Sequence, residues 1–262
     1  MASIASHSDT PSGTAPSHVA AAEAAPPPPV AAAAARRCGA RWRGRIGYRE
    51  ALALQEGCSR ALKDAQLAGT RGEEALLLLE HPPVITLGRN AAEVDVLAGA
   101  DRLKALGVTV EKTNRGGQVT YHGPGQLVGY PILDLNPDRR DVGRFLRDLE
   151  EALIRTLATY GIEAGRSPGW TGVWVGDAKI AAIGVHLSRW VTTHGFALNV
   201  TTDLDAFSLI VPCGLRTRGV TSMQRLLGRP VDLEEVARRF VPEFAAIFGR
   251  DVAFDAPAWE DR

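Results

Sequence analysis

One glycine-rich stretch carries most of the information in this chain, and it reads Arg115-Gly116-Gly117-Gln118-Val119-Thr120-Tyr121-His122-Gly123-Pro124-Gly125-Gln126-Leu127. It lies inside a predicted strand and loop segment that covers residues 114–135, and its four glycines would let a backbone approach a ligand closely. It lacks the Lys and Ser/Thr of a P-loop and the glycine spacing of a dinucleotide fingerprint, so nucleotide binding is not indicated. From composition alone, a tortuous structural loop and a ligand cradle fit the stretch equally well.

Hydrophobic periodicity on both sides of this stretch predicts strands and separate helices. We predict helices at residues 48–66, 100–106, 142–157 and 233–248, with Asp141 and Asp232 as N-caps, and a short helix starting at Thr221-Ser222. We predict strands at residues 76–79, 84–87, 108–111, 170–175, 180–187 and 196–200, a tight turn at Gly176-Asp177, and a loop at residues 190–193. This order predicts an α+β (mixed α/β) domain in which helices cover a largely antiparallel sheet.

The first 40 residues differ in composition from the rest of the chain. They are rich in Ala, Ser and Pro, and no Lys or Arg precedes Arg36. We therefore predict a disordered N-terminal extension at residues 1–40 and one catalytic domain at residues 41–255. The lack of early positive charge argues against a secretory signal or a mitochondrial presequence, whereas a plastid transit peptide is harder to exclude.

Charge and cysteine content restrict the classes of function. Lys plus Arg and Asp plus Glu both number 30, so we expect neither nucleic acid nor a membrane as a partner. The odd number of widely spaced cysteines, Cys38, Cys58 and Cys213, favours a reducing compartment, and we expect a cytoplasmic protein. The spacing of His81, His122 and His194 is not that of a zinc site, and we expect no metal.

Two of these cysteines have different predicted roles. Cys58 falls on the apolar side of the first helix and is predicted to be a buried core thiol. Cys213 lies in the loop Val211-Pro212-Cys213-Gly214-Leu215 and is a candidate nucleophile. A thiol attacks as the thiolate, and the usual pKa of Cys is about 8.5, so Cys213 would need a nearby cation or base. Lys179, His186 and His194 are all candidates for that group.

Five blocks of sequence, in this order, resemble the octanoyl-acyl-carrier-protein:protein octanoyltransferases. The blocks are His81-Pro82-Pro83-Val84 to Leu87-Gly88, the stretch from Arg115 to Leu127, Lys179-Ile180-Ala181-Ala182-Ile183-Gly184-Val185, His194-Gly195-Phe196-Ala197-Leu198-Asn199-Val200, and Pro212-Cys213-Gly214-Leu215. The resemblance covers about residues 45–250. It implies the fold of the biotin and lipoate protein ligases.

The same resemblance implies which residues act. Cys213 would carry the acyl group as a thioester, and Lys179 would lower the pKa of the thiol and act as general acid and base. Substrate contacts are implied at Arg115, Gly116, Gly117, Gln118, Val119, Thr120, Tyr121, His122, Ala182, Ile183, Gly184, Gly195, Phe196 and Ala197. His122 and His194 can either shape the pocket or transfer protons. The donor implied is octanoyl-acyl carrier protein, and the acceptors are lipoyl domains of 2-oxoacid dehydrogenase complexes or the glycine cleavage H protein, with no cofactor and no ATP.

Three alternatives remain at this point. A lipoate or biotin ligase would share the fold but activate a free acid with ATP, and Cys213 argues against it. A non-catalytic acyl-carrier-binding protein would not need both Cys213 and Lys179. In a thioesterase-like hydrolase, water would outcompete the amine at the same acyl-enzyme.

Overall fold

A computed structural model describes residues 35–137, 139–211 and 218–255. The strands are β1 (Arg36–Arg45), β2 (Glu74–Glu80), β3 (Val84–Leu87), β4 (Thr109–Lys112), β5 (Val119–His122), β6 (Gln126–Ile132), β7 (Gly165–Ser167), β8 (Trp170–Val175), β9 (Ala178–Ser188), β10 (Val191–Asn199) and β11 (Arg250–Phe254). The helices are α1 (Tyr48–Leu67), α2 (Ala100–Ala105), α3 (Val142–Ala158), α4 (Met223–Leu227) and α5 (Leu233–Phe248), with 3-10 turns at Glu93–Asp95 and Leu204–Leu209.

The strands form two sheets. The large sheet has the order β11-β1-β2-β6-β10-β9-β8-β7, and the small sheet has the order β4-β3-β5. In the large sheet β1 pairs in parallel with β2 and β11, and the five remaining pairs are antiparallel. The predicted mixed α/β fold with a largely antiparallel sheet is therefore confirmed.

The run of leucines in β2 explains how helices come to cover both faces of the large sheet. Successive side chains of a strand point to opposite faces. Leu76 and Leu78 accordingly pack into the core with α3 and α5, whereas Leu77 and Leu79 pack into a second core with α1. A strand that is apolar at every position needs cover on both sides. Cys58 is buried in the α1 core, as predicted.

Helix starts follow the predicted caps. The Asp141 carboxylate accepts the backbone N–H of Arg144 at 2.9 Å, and the Asp232 carboxylate accepts that of Glu235 at 2.8 Å. The Ser222 hydroxyl caps α4 in the same way, accepting the N–H of Arg225. Each cap satisfies a backbone donor that has no partner within its own helix.

Several strand assignments differ from the sequence prediction, and β7 (Gly165–Ser167) is one strand that was not predicted. β1 begins at Arg36, before the predicted boundary at residue 41, and Cys38 and Ala40 are its buried side chains. β11 was not predicted. Residues 191–193, predicted as loop, begin β10, because Arg189 and Trp190 both adopt positive φ and turn the chain back onto β9. The division of the chain into residues 1–40 and 41–255 otherwise remains a prediction.

Candidate active site

A cavity of about 410 Å³ lies against both sheets. Lys179 and eleven of the fourteen predicted substrate contacts line this cavity. The eleven contacts are Arg115, Gly117, Gln118, Thr120, His122, Ala182, Ile183, Gly184, Gly195, Phe196 and Ala197. The antiparallel register of β9 and β10 brings the last two blocks together, because Gly184 lies opposite Gly195 and Ile183 opposite Phe196. Blocks that are distant in sequence thus form one wall.

The three predicted contacts outside the lining have structural explanations. Thr120 and His122 face the cavity, so the alternation along β5 turns Val119 and Tyr121 into the core of the small sheet, where Tyr121 contacts the ring of Phe207. Gly116 uses its backbone, since its N–H donates to the carbonyl of Val185 at 2.9 Å. The Val119 and Tyr121 side chains therefore pack in that core, and substrate contact at these two residues stays a prediction.

Arg115 is buried in the cavity wall, with 8% of its surface exposed. Its guanidinium donates to the Thr86 hydroxyl at 2.8 Å and carbonyl at 2.7 Å, and to the Gly116 carbonyl at 3.0 Å. Two glycines lie against this side chain and its neighbouring backbone. A Cβ on Gly88 would lie 2.4 Å from the Gly117 carbonyl and 2.8 Å from the guanidinium, and one on Gly184 would lie 2.9 Å from the Gly116 carbonyl and 3.3 Å from Arg115 Cδ. The close approach suggested by the glycine content is therefore partly an approach to Arg115.

A chain of hydrogen bonds runs from Arg115 through the site. The Thr86 hydroxyl, which accepts from Arg115, lies 3.3 Å from His122 Nε2, and His122 Nδ1 lies 2.8 Å from Gln126 Oε1. The Gln126 amide donates to Asn199 Oδ1 at 2.9 Å. Because the Gln126 oxygen can only accept, His122 carries its proton on Nδ1 and accepts from Thr86 on Nε2. Each group in this series of hydrogen bonds then donates to the next, from Arg115 to Asn199.

The three buried histidines are neutral near pH 7. Burial, reinforced by neighbouring positive charge, lowers the pKa of His122 to about 3 and that of His194 to about 4. Burial also lowers the pKa of His81 to about 4, and His81 Nε2 lies 2.8 Å from the Tyr130 hydroxyl. His194 Nε2 lies 2.7 Å from Asn114 Oδ1. These histidines are therefore suited to hydrogen bonding, and the cations of the cavity lining are Arg115 and Lys179.

Lys179 is the one buried lysine of the four in the sequence, with 8% of its surface exposed. It lies at the start of β9, where its N–H donates to the carbonyl of Gly219 and its carbonyl accepts from Thr221, both at 3.0 Å. Asn199 holds the same segment, donating from its amide to the Thr221 carbonyl at 3.0 Å. The hydrogen-bond chain from Arg115 thus ends beside the backbone of Lys179.

Cys213 lies outside the described residues. The flanking backbone is held on both sides: the Val211 N–H donates to the carbonyl of Asp95 at 2.8 Å, and Gly219 pairs with Lys179.

The cavity lining also contains residues that sequence reasoning missed, namely Tyr48, Asn90, Tyr130, Gly169, Trp170 and Thr171. Tyr48 begins α1 and Tyr130 lies in β6. The Tyr48 ring makes an edge contact with His81, and the Tyr130 ring packs against His81 in a tilted arrangement. Each looks like ordinary core packing in the sequence. The resemblance to His81-Pro82-Pro83 was the available signal, because His81 orients both tyrosines.

The described residues, 35–137, 139–211 and 218–255, carry neither a metal centre nor a membrane-spanning helix. No group of three His, Cys, Asp or Glu side chains there is arranged to hold a metal ion. Across the same ranges, none of the helices has the length and apolar character needed to cross a bilayer.

The comparisons with known proteins agree with this architecture. The model of the family described as "Lipoyl protein ligase A/B catalytic domain" matches residues 47–245. The solved structure of a lipoate-protein ligase A bound with ATP has a TM-score of 0.69 at 20% identity, covering 87% of this chain and 91% of that one. A putative lipoate protein ligase from T. acidophilum has a TM-score of 0.65 at 20% identity. Fold and family match together define a catalytic domain of the lipoyl ligase A/B class.

Curated relatives show which family within that class the chain belongs to. An octanoyltransferase of Solibacter usitatus (strain Ellin6076) is 60% identical over 213 residues, which cover 81% of this chain and 94% of the relative. An octanoyltransferase of Acidobacterium capsulatum is 50% identical over 224 residues, which cover 80% and 89%. The chain belongs to the octanoyltransferase family, which confirms the resemblance identified in the sequence.

Proposed function

We propose that this protein takes an octanoyl group from an acyl-carrier-protein thioester, holds it on Cys213, and transfers it to a lysine of a lipoyl domain. The observation that carries the proposal is the buried Lys179 in the wall of a cavity formed by the family's sequence blocks. Membership of the octanoyltransferase family supports the same reaction.

In the first half-reaction the Cys213 thiolate attacks the thioester carbonyl, and the bond to the carrier sulfur breaks. The Lys179 ammonium favours the Cys213 thiolate and supplies a proton to the departing carrier thiolate, which leaves as the thiol. In the second, the substrate amine attacks the acyl-enzyme, neutral Lys179 takes its proton, and Cys213 leaves as thiolate. Both donors are thioesters, which are already activated, so the reaction needs neither ATP nor a metal.

The cavity wall suits an acyl chain. Ala182, Ile183, Phe196 and Ala197 supply apolar surface, whereas Arg115 and the neutral histidines supply polar groups around the carbonyl end. Backbone N–H groups near Gly184 and Gly195 are candidate donors to the tetrahedral oxyanion. The acceptors we propose are lipoyl domains of 2-oxoacid dehydrogenase complexes or the glycine cleavage H protein, in the cytoplasm.

The test is the intact mass of the protein after incubation with octanoyl-acyl carrier protein without ATP. We expect the wild type to gain one octanoyl group that hydroxylamine removes, and Cys213→Ala to gain none. The matched control is Cys58→Ala, which removes a buried core thiol outside the cavity and is expected to be acylated like the wild type. Equal acylation of Cys213→Ala and wild type would refute the acyl-enzyme.

The ligase and hydrolase alternatives are separated by the same preparation. A ligase would transfer free octanoate only with ATP, whereas we expect transfer from the carrier thioester without it. A hydrolase would release free octanoate whether or not a lipoyl domain is present. A non-catalytic carrier-binding protein would bind the donor with no mass change.

A further inference from the structure

The indole ring of Trp174 is contacted by two cationic side chains from sequence-distant segments. Lys179 Nζ is 4.8 Å from the ring centre, and the guanidinium carbon of Arg218 is 5.1 Å from the same centre. Both distances fall within the range of a cation–π contact. The two charges consequently lie no more than about 10 Å apart, close enough to interact through a protein interior.

The strand register places Trp174 under Lys179. The two residues are direct partners in the antiparallel β8–β9 pair, so their side chains lie on the same face. Trp174 is 2% exposed, and its indole N–H has no hydrogen-bond partner among the described residues. The ring is therefore held by packing, and what it offers Lys179 is its π face.

The backbone next to Trp174 leaves room for the lysine. Gly172 has φ +122°, and a Cβ there would lie 3.5 Å from Lys179 Cε and 2.6 Å from the carbonyl of Ala181. Its N–H donates at 2.9 Å to Glu150, a fully buried carboxylate of α3. The Lys179 side chain thus passes beside Gly172, and its ammonium group ends at the Trp174 ring.

Arg218 is fixed in its own position by polar contacts. It donates to the Ser167 hydroxyl at 2.6 Å and lies 3.7 Å from the Asp177 carboxylate in the β8–β9 turn. We propose that Trp174 positions Lys179 through its ring face, and that Arg218, bound at the same ring, lowers the proton affinity of that lysine. This inference rests on the proposed function, in which Lys179 must be ammonium in one half-reaction and neutral amine in the next.

Other charged and titratable groups surround Lys179. Arg115 and the neutral His122 and His194 line the same cavity, as do the protonated Tyr48 and Tyr130. Glu150 accepts the Gly172 N–H beside the lysine, and its carboxylate is bound by Arg147 and Arg166. These groups, and Cys213, which the proposed function pairs with Lys179, stay unchanged in the variants below, so differences in the pKa of Lys179 report on Trp174 and Arg218.

The pKa of Lys179 can be measured directly because the sequence has only four lysines, Lys63, Lys104, Lys112 and Lys179. We would label lysine with ¹³C, assign the four Cε signals with Lys179→Arg, and titrate each by NMR. Arg218→Met removes a positive charge and is expected to raise the pKa of Lys179 by about half a unit. Trp174→Leu removes the π face and is expected to lower it by about one unit.

Two controls accompany these variants. Trp174→Phe retains an aromatic ring and is expected to restore most of the wild-type pKa. Arg229→Met removes an exposed arginine elsewhere on the surface and is expected to leave the pKa unchanged. Unchanged pKa values in both Arg218→Met and Trp174→Leu, or shifts in the same direction, would overturn the proposal. If Trp174→Leu does not fold, the titration of Arg218→Met decides alone.

Transfer from preformed octanoyl-enzyme, followed in single turnovers against pH, supplies a second measurement. We expect its rise with pH to move to higher pH in Arg218→Met and to lower pH in Trp174→Leu. Full transfer by Lys179→Ala would refute the role proposed for Lys179. The NMR titration would then still test whether Trp174 and Arg218 change the pKa of Lys179. Loss of transfer in Lys179→Ala with no shift in either variant would refute only the inference about Trp174 and Arg218.

Discussion

At the scale of single residues, Thr86 is a junction that sequence patterns do not reveal. It is fully buried in β3, between the Arg115 guanidinium and the His122 ring, and it serves as acceptor for the first and donor to the second. In the sequence it is one polar residue in the apolar run Val84–Leu87. Removing its hydroxyl leaves two buried groups short of a partner, which costs more than the bonds themselves contribute.

We predict that Thr86→Val, which keeps the side-chain volume, lowers the free energy of unfolding by about 1–3 kcal/mol. Octanoyl transfer should fall as well, because Arg115 and His122 both line the cavity. Urea unfolding and single-turnover transfer check the two effects. Thr86→Ser is the matched control: it keeps the hydroxyl and should lose only about 1 kcal/mol for the missing methyl group. Wild-type stability in Thr86→Val would show that the hydroxyl is not part of the network.

At the scale of elements, the periodic helices and apolar strands were predictable, whereas the charged strands β1 and β11 were not. α3 and α5 carry an apolar face and an Asp cap, which are local signals. β1 reads as a charged segment because only Cys38 and Ala40 point into the core, and β11 is held by a long-range contact, the buried ion pair between Arg250 and Glu74 at 2.6 Å. A pairing of residues so distant in sequence leaves no periodic pattern.

We predict that Asp141→Ala lowers the free energy of unfolding by about 1 kcal/mol, because the first turn of α3 loses its acceptor for the Arg144 N–H. Acyl transfer by the folded enzyme should be unaffected, since the cap lies outside the cavity lining. Asp141→Asn keeps an acceptor oxygen and should recover most of the loss. Urea unfolding of the three proteins makes the comparison, and equal stability of Asp141→Ala and wild type would contradict it.

At the scale of the whole molecule, the sequence predicted which motif blocks form the candidate site. It did not predict which side chains of those blocks point into the cavity. The family resemblance assigned Arg115, Lys179 and the wall formed by β9 and β10 to one site. It could not show which residues of β5 face inward, because Thr120, Tyr121 and their neighbours are all compatible with burial. It also could not show that three histidines, 41 and 72 residues apart along the chain, meet in one desolvated region.

That desolvated region makes the stability of the whole protein depend on pH. His81, His122 and His194 have folded-state pKa values of about 4, 3 and 4, all below the ordinary value of 6.5. Between the folded-state pKa values and 6.5, the unfolded chain binds protons that the folded protein excludes. The contribution of these histidines to the free energy of unfolding is therefore fully present above about pH 6.5 and decreases as the pH falls. Each histidine contributes a slope of up to about 1.4 kcal/mol per pH unit in that window.

We therefore predict that the free energy of unfolding, measured with urea from pH 7 to pH 5, decreases steadily as the solution becomes more acidic. His122→Gln removes one of the three titrating groups, and its slope should be shallower by up to about 1.4 kcal/mol per pH unit, whatever its stability at pH 7. The ordinary carboxylates are common to both proteins and cancel in the difference. Parallel pH curves for the wild type and His122→Gln would mean that His122 takes up its proton over the same pH range in the folded enzyme as in the unfolded chain, and is therefore imidazolium at pH 5. In that case it could no longer accept the Thr86 hydroxyl on Nε2, and the hydrogen-bond chain from Arg115 to Asn199 would have to run in another direction.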